Sequence, residues 1–273
     1  MASNSEFQLV GSQAWLQGYR NLVRKENYFW WRTKRWWVQT LTWLVFTAGL
    51  LAMFIWVVPE QTEGTDQTPL PPEVKCLMFF IRIMGLAPAI GVILLAQDTI
   101  LNERLSGTMA WVLTKPVSRI AFLLSKLLAH AFGMLMTMVI FQGIAVYLLT
   151  LLATGTPLFI PSYVAMSGVL WLNLLYFLTL TVMLSTISNN RGLAIGIPLL
   201  IIFGSFIFRG IAPWLVDVMP WNLTSDIGPA RPALALVIAL GQQIPTWMPL
   251  IATASWSLVF TGITIWRFQR EEF

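Results

Sequence analysis

Along this 273-residue chain the apolar residues gather into long blocks instead of alternating with polar ones. Six blocks come close to the roughly 20 apolar residues that a helix needs to cross a hydrocarbon core. They cover residues 37–58, 76–96, 126–152, 163–187, 192–213 and 247–266. The pattern predicts an all-α polytopic membrane protein with six transmembrane helices. The apolar run that begins at Ile120 extends for about 33 residues, roughly 50 Å as a helix, so its first turns are expected to stand outside the membrane. A run at 233–240, bracketed by Pro232 and Pro245, is too short to cross. Residues 214–246 are therefore expected to form an outer loop carrying short re-entrant helices between spans five and six.

Ahead of the first block the periodicity changes. Trp15, Leu16, Tyr19, Leu22 and Val23 recur at helical spacing, while Gln17, Arg20, Asn21, Arg24 and Lys25 take the other face. The string YFWWRTKRWW then packs aromatic residues around cations. Residues 1–36 are expected to form an amphipathic helix in the inner interface, either as a topology anchor or as a lever that also touches a cytoplasmic partner. Residues 37–273 form the transmembrane domain.

Composition agrees with this division. Charged residues are 11% of the chain, against about a quarter in soluble domains. Fourteen tryptophans suit the membrane–water interface, where indole is enriched. The lone Cys76 excludes an internal disulfide framework and a thiolate-rich metal site. The net charge of +5 is no nucleic-acid footprint, because the cations sort by membrane side. Thirteen of the seventeen lie before span one, between spans two and three, between four and five, or after six. The opposite loops are acidic (Glu60, Glu63, Asp66, Glu73) or uncharged. Both termini are therefore expected in the cytoplasm, and a cleavable signal peptide is not expected.

The stretch NERLSGTMAWVLTKPVSR, residues 102–119, interrupts the apolar blocks. Leu101, Leu105, Met109 and Val112 share one stripe of a helix, with Asn102, Glu103 and Ser106 largely off it. Pro116 disfavours helix at Lys115, and Ser118 can cap the helix that follows. The expected product is a short amphipathic helix, a corner, and a helix entering the membrane. A plain hairpin would explain the topology but not eighteen residues where a handful would do.

At these residues the sequence resembles the membrane subunits of type-2 ABC exporters, also called type V exporters. The likeness is carried by Glu103-Arg104-x-x-Gly107-Thr108, LTKPVSR (113–119), SKLLA (125–129) and WRFQREEF (266–273). It implies that residues 101–113 are a coupling helix docked in a groove on a separate ATPase. The ATPase-coupling residues it implies are Leu101, Glu103, Arg104, Leu105, Gly107, Thr108, Met109, Pro116, Ser118 and Arg119. A second contact would be the tight loop SNNR, with Asn189, Asn190 and Arg191. Glu103 would either stay solvated or pair near Arg104 and Arg119 to fix the helix against the third span.

The chain has no G-x-x-x-x-G-K-[ST] phosphate loop. ATP and Mg would therefore be bound by the partner ATPase, and this chain would hold no cofactor. The implied assembly is two permease copies, as a homodimer, with two ATPase subunits, in contact with membrane lipids and without nucleic acid. Closure of the ATPases would rock one membrane half against the other and export a hydrophobic or amphipathic substrate across the plasma (inner) membrane. Spans two and five are the expected walls. Arg82 would snorkel outward or meet an anionic group, and Gly192 with Gly196 would permit close helix approach. A scaffold or force-transmitting subunit without transport has the same topology.

Other constellations are weaker. Met134, Met136 and Met138 could ligate Cu(I), but apolar filling is the expected role and no metal site is assigned. Ser205 with His130 imitates an intramembrane serine protease, yet in the wrong chain order. Asn222-Leu223-Thr224 fits a glycosylation acceptor by chance.

Overall fold

The computed structural model of the chain describes residues 18–57, 70–107, 117–188, 190–212, 214–227 and 231–270. Among these every regular element is helical. Helix α1 (Tyr19–Arg32) precedes α2 (Arg35–Trp56), α3 (Pro72–Ala96) and the short α4 (Asp98–Leu105). Helix α5 (Arg119–Thr154) is continuous, and its middle turn, Leu135–Ile140, has π geometry. Then come α6 (Ile160–Ile187), α7 (Arg191–Ile211), three short helices α8 (Leu215–Val218), α9 (Trp221–Thr224) and α10 (Leu234–Ala239), and α11 (Met248–Gln269).

Six helices are long and apolar enough to cross a bilayer: α2, α3, α5, α6, α7 and α11. The six blocks of the sequence are thus six helices, with ends within four residues of the blocks' except that α5 begins seven residues earlier, at Arg119. Their limits follow local chemistry. Pro72 opens α3, where its missing N–H would have had no partner in any case. The Ser118 hydroxyl accepts from Ala121 N at 3.0 Å and caps α5, as its position in the sequence implies. At the other end of α5, Gly155 adopts φ 67, a left-handed stop that glycine takes without strain.

Helix α6 is apolar on every side and forms the centre, packed by α3, α7, α10 and α11. Helix α2 stands at the periphery against the second half of α5. Buried hydroxyls in these helices turn back on their own backbone, as Thr137 does to Gly133 O and Thr264 to Phe260 O. Such bonds satisfy polar groups that have no water to turn to.

Among the described residues, 214–246 contain three short helices and no seventh spanning helix, with Trp221, Leu223 and residues 234–237 buried. The N-terminal helix is also partly core. Arg20, Asn21, Arg24 and Lys25 are exposed, while Leu22 and Trp30 are buried. Trp30 lies against Gly133, where any Cβ would collide with the indole, and it meets His130 edge-on at 5.4 Å.

Candidate functional site

Most of the cations among the described residues gather at one end of the bundle, where α1, α4, the start of α5, the α6–α7 corner and the end of α11 meet. Its centre is Lys126, two turns into α5 and 5% exposed. The Lys126 Nζ donates to Glu103 Oε1 at 2.7 Å and to Glu26 Oε1 at 3.1 Å. One ammonium thus joins α1, α4 and the third span. A buried cation would be costly alone; two carboxylates offset that cost and make the junction a brace. His130 lies one turn further on, its Nδ1 2.9 Å from Lys126 O and its Nε2 3.3 Å from Thr99 Oγ1. These groups border a cavity of about 520 Å³ between α1, α4 and α5.

The two loops implied as contact surfaces touch each other. Arg191, at the start of α7, donates to Asn102 Oδ1 at 2.7 Å and lies 3.4 Å from Asp98. Arg119 donates to Gln269 O at 2.8 Å, tying the entrance of span three to the exit of span six. Phe122 stacks on Phe268 beside it, at 5.7 Å.

Not every expected residue sits as its position implied. Leu101 is fully buried in α4, so it packs inward. Helix α4 starts at Asp98, earlier than residue 101, and ends at Leu105, after which Gly107 turns left-handed with φ 69. The rest of the expected coupling helix, with Thr108, Met109 and Pro116, lies outside the described residues, as do Asn189 and the side chains of Arg104 and Leu105. Glu103 pairs with Lys126, which the sequence had placed at the edge of span three as a topology cation. Asn190 caps α7 by accepting from Gly192 N at 2.8 Å. Gly192 and Gly196 are exposed, and among the described residues no other helix comes within 4 Å of where their Cβ atoms would stand.

At the far end, Arg82 pairs with Asp226 of the α9–α10 connection. The Asp226 Oδ1 also accepts from Ala233 N at 2.9 Å, which closes that connection. Asn222 and Thr224 are each 4% exposed, so the glycosylation triplet is sealed inside the fold. Ser205 donates to Ile202 O and borders a far-end cavity, while His130 borders the basic-end one, so they form no dyad. Met134 and Met138 are core residues, and no metal-holding group of His, Cys, Asp or Glu occurs among the described residues.

The sequence did not single out Lys126, Glu26, Asp98, Asp226 or Gln142. Gln142 is fully buried at the π turn. The amide of Phe141 bonds to Met136 O in the π register, which frees Thr137 O. The Gln142 Nε2 donates to that carbonyl at 3.0 Å and to Thr40 O at 3.3 Å, while its Oε1 accepts from Thr47 at 2.8 Å. One side chain thus mends the π turn and clasps span one to span three.

Residues 20–273 match the family described as ABC-2 family transporter protein. No curated protein matches the chain.

Proposed function

The chain belongs to the ABC-2 family of transporter proteins, and from that premise we propose that it is the permease subunit of an ATP-driven exporter. It is the membrane component and not itself the catalyst. Two copies assemble with two ATPase subunits, which bind ATP and Mg. The basic end faces the cytoplasm at the plasma membrane, with both termini inside. The cargo is hydrophobic or amphipathic.

The observation that carries this proposal is the brace at Lys126. A surface meant to receive force must not yield under it, and α4 is held to α1 and α5 through one buried ammonium. Arg191 couples the second loop to the same helix. Displacement of the first loop would therefore carry spans two, three and five together, which is how a rigid-body switch is driven.

The test is co-purification from native membranes. Arg191→Glu changes an exposed cation at the joined loops and is expected to cut recovery of the ATP-binding subunit at least fivefold without loss of the folded permease. Undiminished recovery and undiminished stimulation of ATP hydrolysis would overturn the coupling role.

A further inference from the structure

A cavity of about 350 Å³ lies at the far end, bordered by α3, α6, α7 and α9. Pockets that take small molecules span roughly 300–1,000 Å³, so it is large enough for part of an amphiphile. Its lining includes a buried amide donor without a partner. Asn173, in the middle of α6, lines it at 2% exposure, and the Nδ2 of its amide has no hydrogen-bond partner. A buried donor without an acceptor bears its full desolvation cost. Two neighbouring donors are committed, since Trp221 Nε1 donates to Ile201 O at 2.8 Å and Ser205 Oγ to Ile202 O at 2.9 Å, while the Thr224 and Ser225 hydroxyls also line the cavity.

The mouth is polar but uncharged overall. Asp226 neutralises Arg82, so the site holds no net positive charge with which to attract an anion. The rim residues Leu86 on α3 and Phe206 on α7 are exposed, at 39% and 70%, which opens the cavity sideways onto surface that the bilayer covers. A ligand arriving by that route comes from the lipid.

We infer that this cavity binds an uncharged amphiphile of the acyl ester or acyl amide class. Its carbonyl oxygen accepts from Asn173, and its chain lies along Leu86, Phe177 and Phe206. The inference gives the transport proposal a cargo class, but the binding itself does not need the ATPase.

The test uses the purified full chain in nanodiscs and saturation binding of monolauroylglycerol, its ether analogue dodecylglycerol, and laurate. A site built around a donor rejects an analogue lacking the acceptor. Wild type is expected to bind the ester about tenfold more tightly than the ether, and laurate more weakly than the ester. Asn173→Leu should erase the ester–ether difference while leaving ligand-free thermal stability no lower than wild type, since it removes an unpaired donor. Equal binding of ester and ether by wild type, or discrimination unchanged in Asn173→Leu, would overturn the inference. The wild-type comparison stands even if the variant folds poorly. Undiminished recovery of the ATP-binding subunit by Arg191→Glu, with the ester–ether difference retained, would sink the coupling role and leave this site standing.

Discussion

Glu103 at the end of α4 and Lys126 inside α5 meet at 2.7 Å, so the polar loop is fastened to the third span by a buried cation. Lys126→Met would strand Glu26 and Glu103 together in a poorly hydrated junction. Breaking a buried pair from one side costs about 3 kcal/mol or more, and a loss of that order is expected in unfolding titrations. Adding Glu26→Gln and Glu103→Gln should restore most of it. A Lys126→Met protein as stable as wild type would show that the junction braces nothing.

Gly133 is the seat of Trp30. Gly133→Ala is expected to cost about 1–3 kcal/mol, the usual penalty for overpacking, and to loosen α1. Limited trypsinolysis at Arg20 and Arg24 should then accelerate. Trp30→Leu in the same chain should recover part of the loss, and full additivity of the two changes would contradict the contact.

Gln142→Leu leaves Thr137 O and Thr40 O without the amide, while the Thr47 hydroxyl keeps Trp43 O at 2.7 Å as its acceptor. Groups orphaned in this way cost about 1–3 kcal/mol. The expected readout is a lower unfolding midpoint, with faster hydrogen exchange in the middle of span three. Thr47→Val, which keeps the amide and its two carbonyls, should cost less.

Arg82→Gln removes a pair whose arginine is largely exposed, so its effect on global stability should stay below about 1 kcal/mol. Its effect should be local. The connection between α9 and α10 loses one of the bonds that Asp226 makes, and proteolysis within residues 226–233 is expected to rise severalfold.

The long helices were legible because each is an apolar block with its own punctuation. Ser118, Pro72 and Gly155 set ends by chemistry that acts within a few residues. The short α8–α10 were legible as an interruption too brief to cross. The pairings were not legible. Glu26 and Lys126 are one hundred residues apart, and nothing local to either names the other. Arg119 drew attention as a partner for Glu103, but the free backbone carbonyl at Gln269 claims it, an acceptor with no sequence signature. Gln142 stood unnoticed within an apolar block because the feature it serves is a backbone register. Asn173 escaped as one amide among apolar neighbours.

The wide turn at Leu135–Ile140 has a geometric consequence of its own. It holds one residue beyond the α count, and each residue of an α-helix advances the azimuth by about 100°. The second half of the third span is therefore out of phase with the first half, like two gears keyed to one axle at different angles. This offset lets Gly133 face the N-terminal helix while Gln142 meets span one. Deleting a single residue within the turn would realign the halves and swing the second one away from its neighbours.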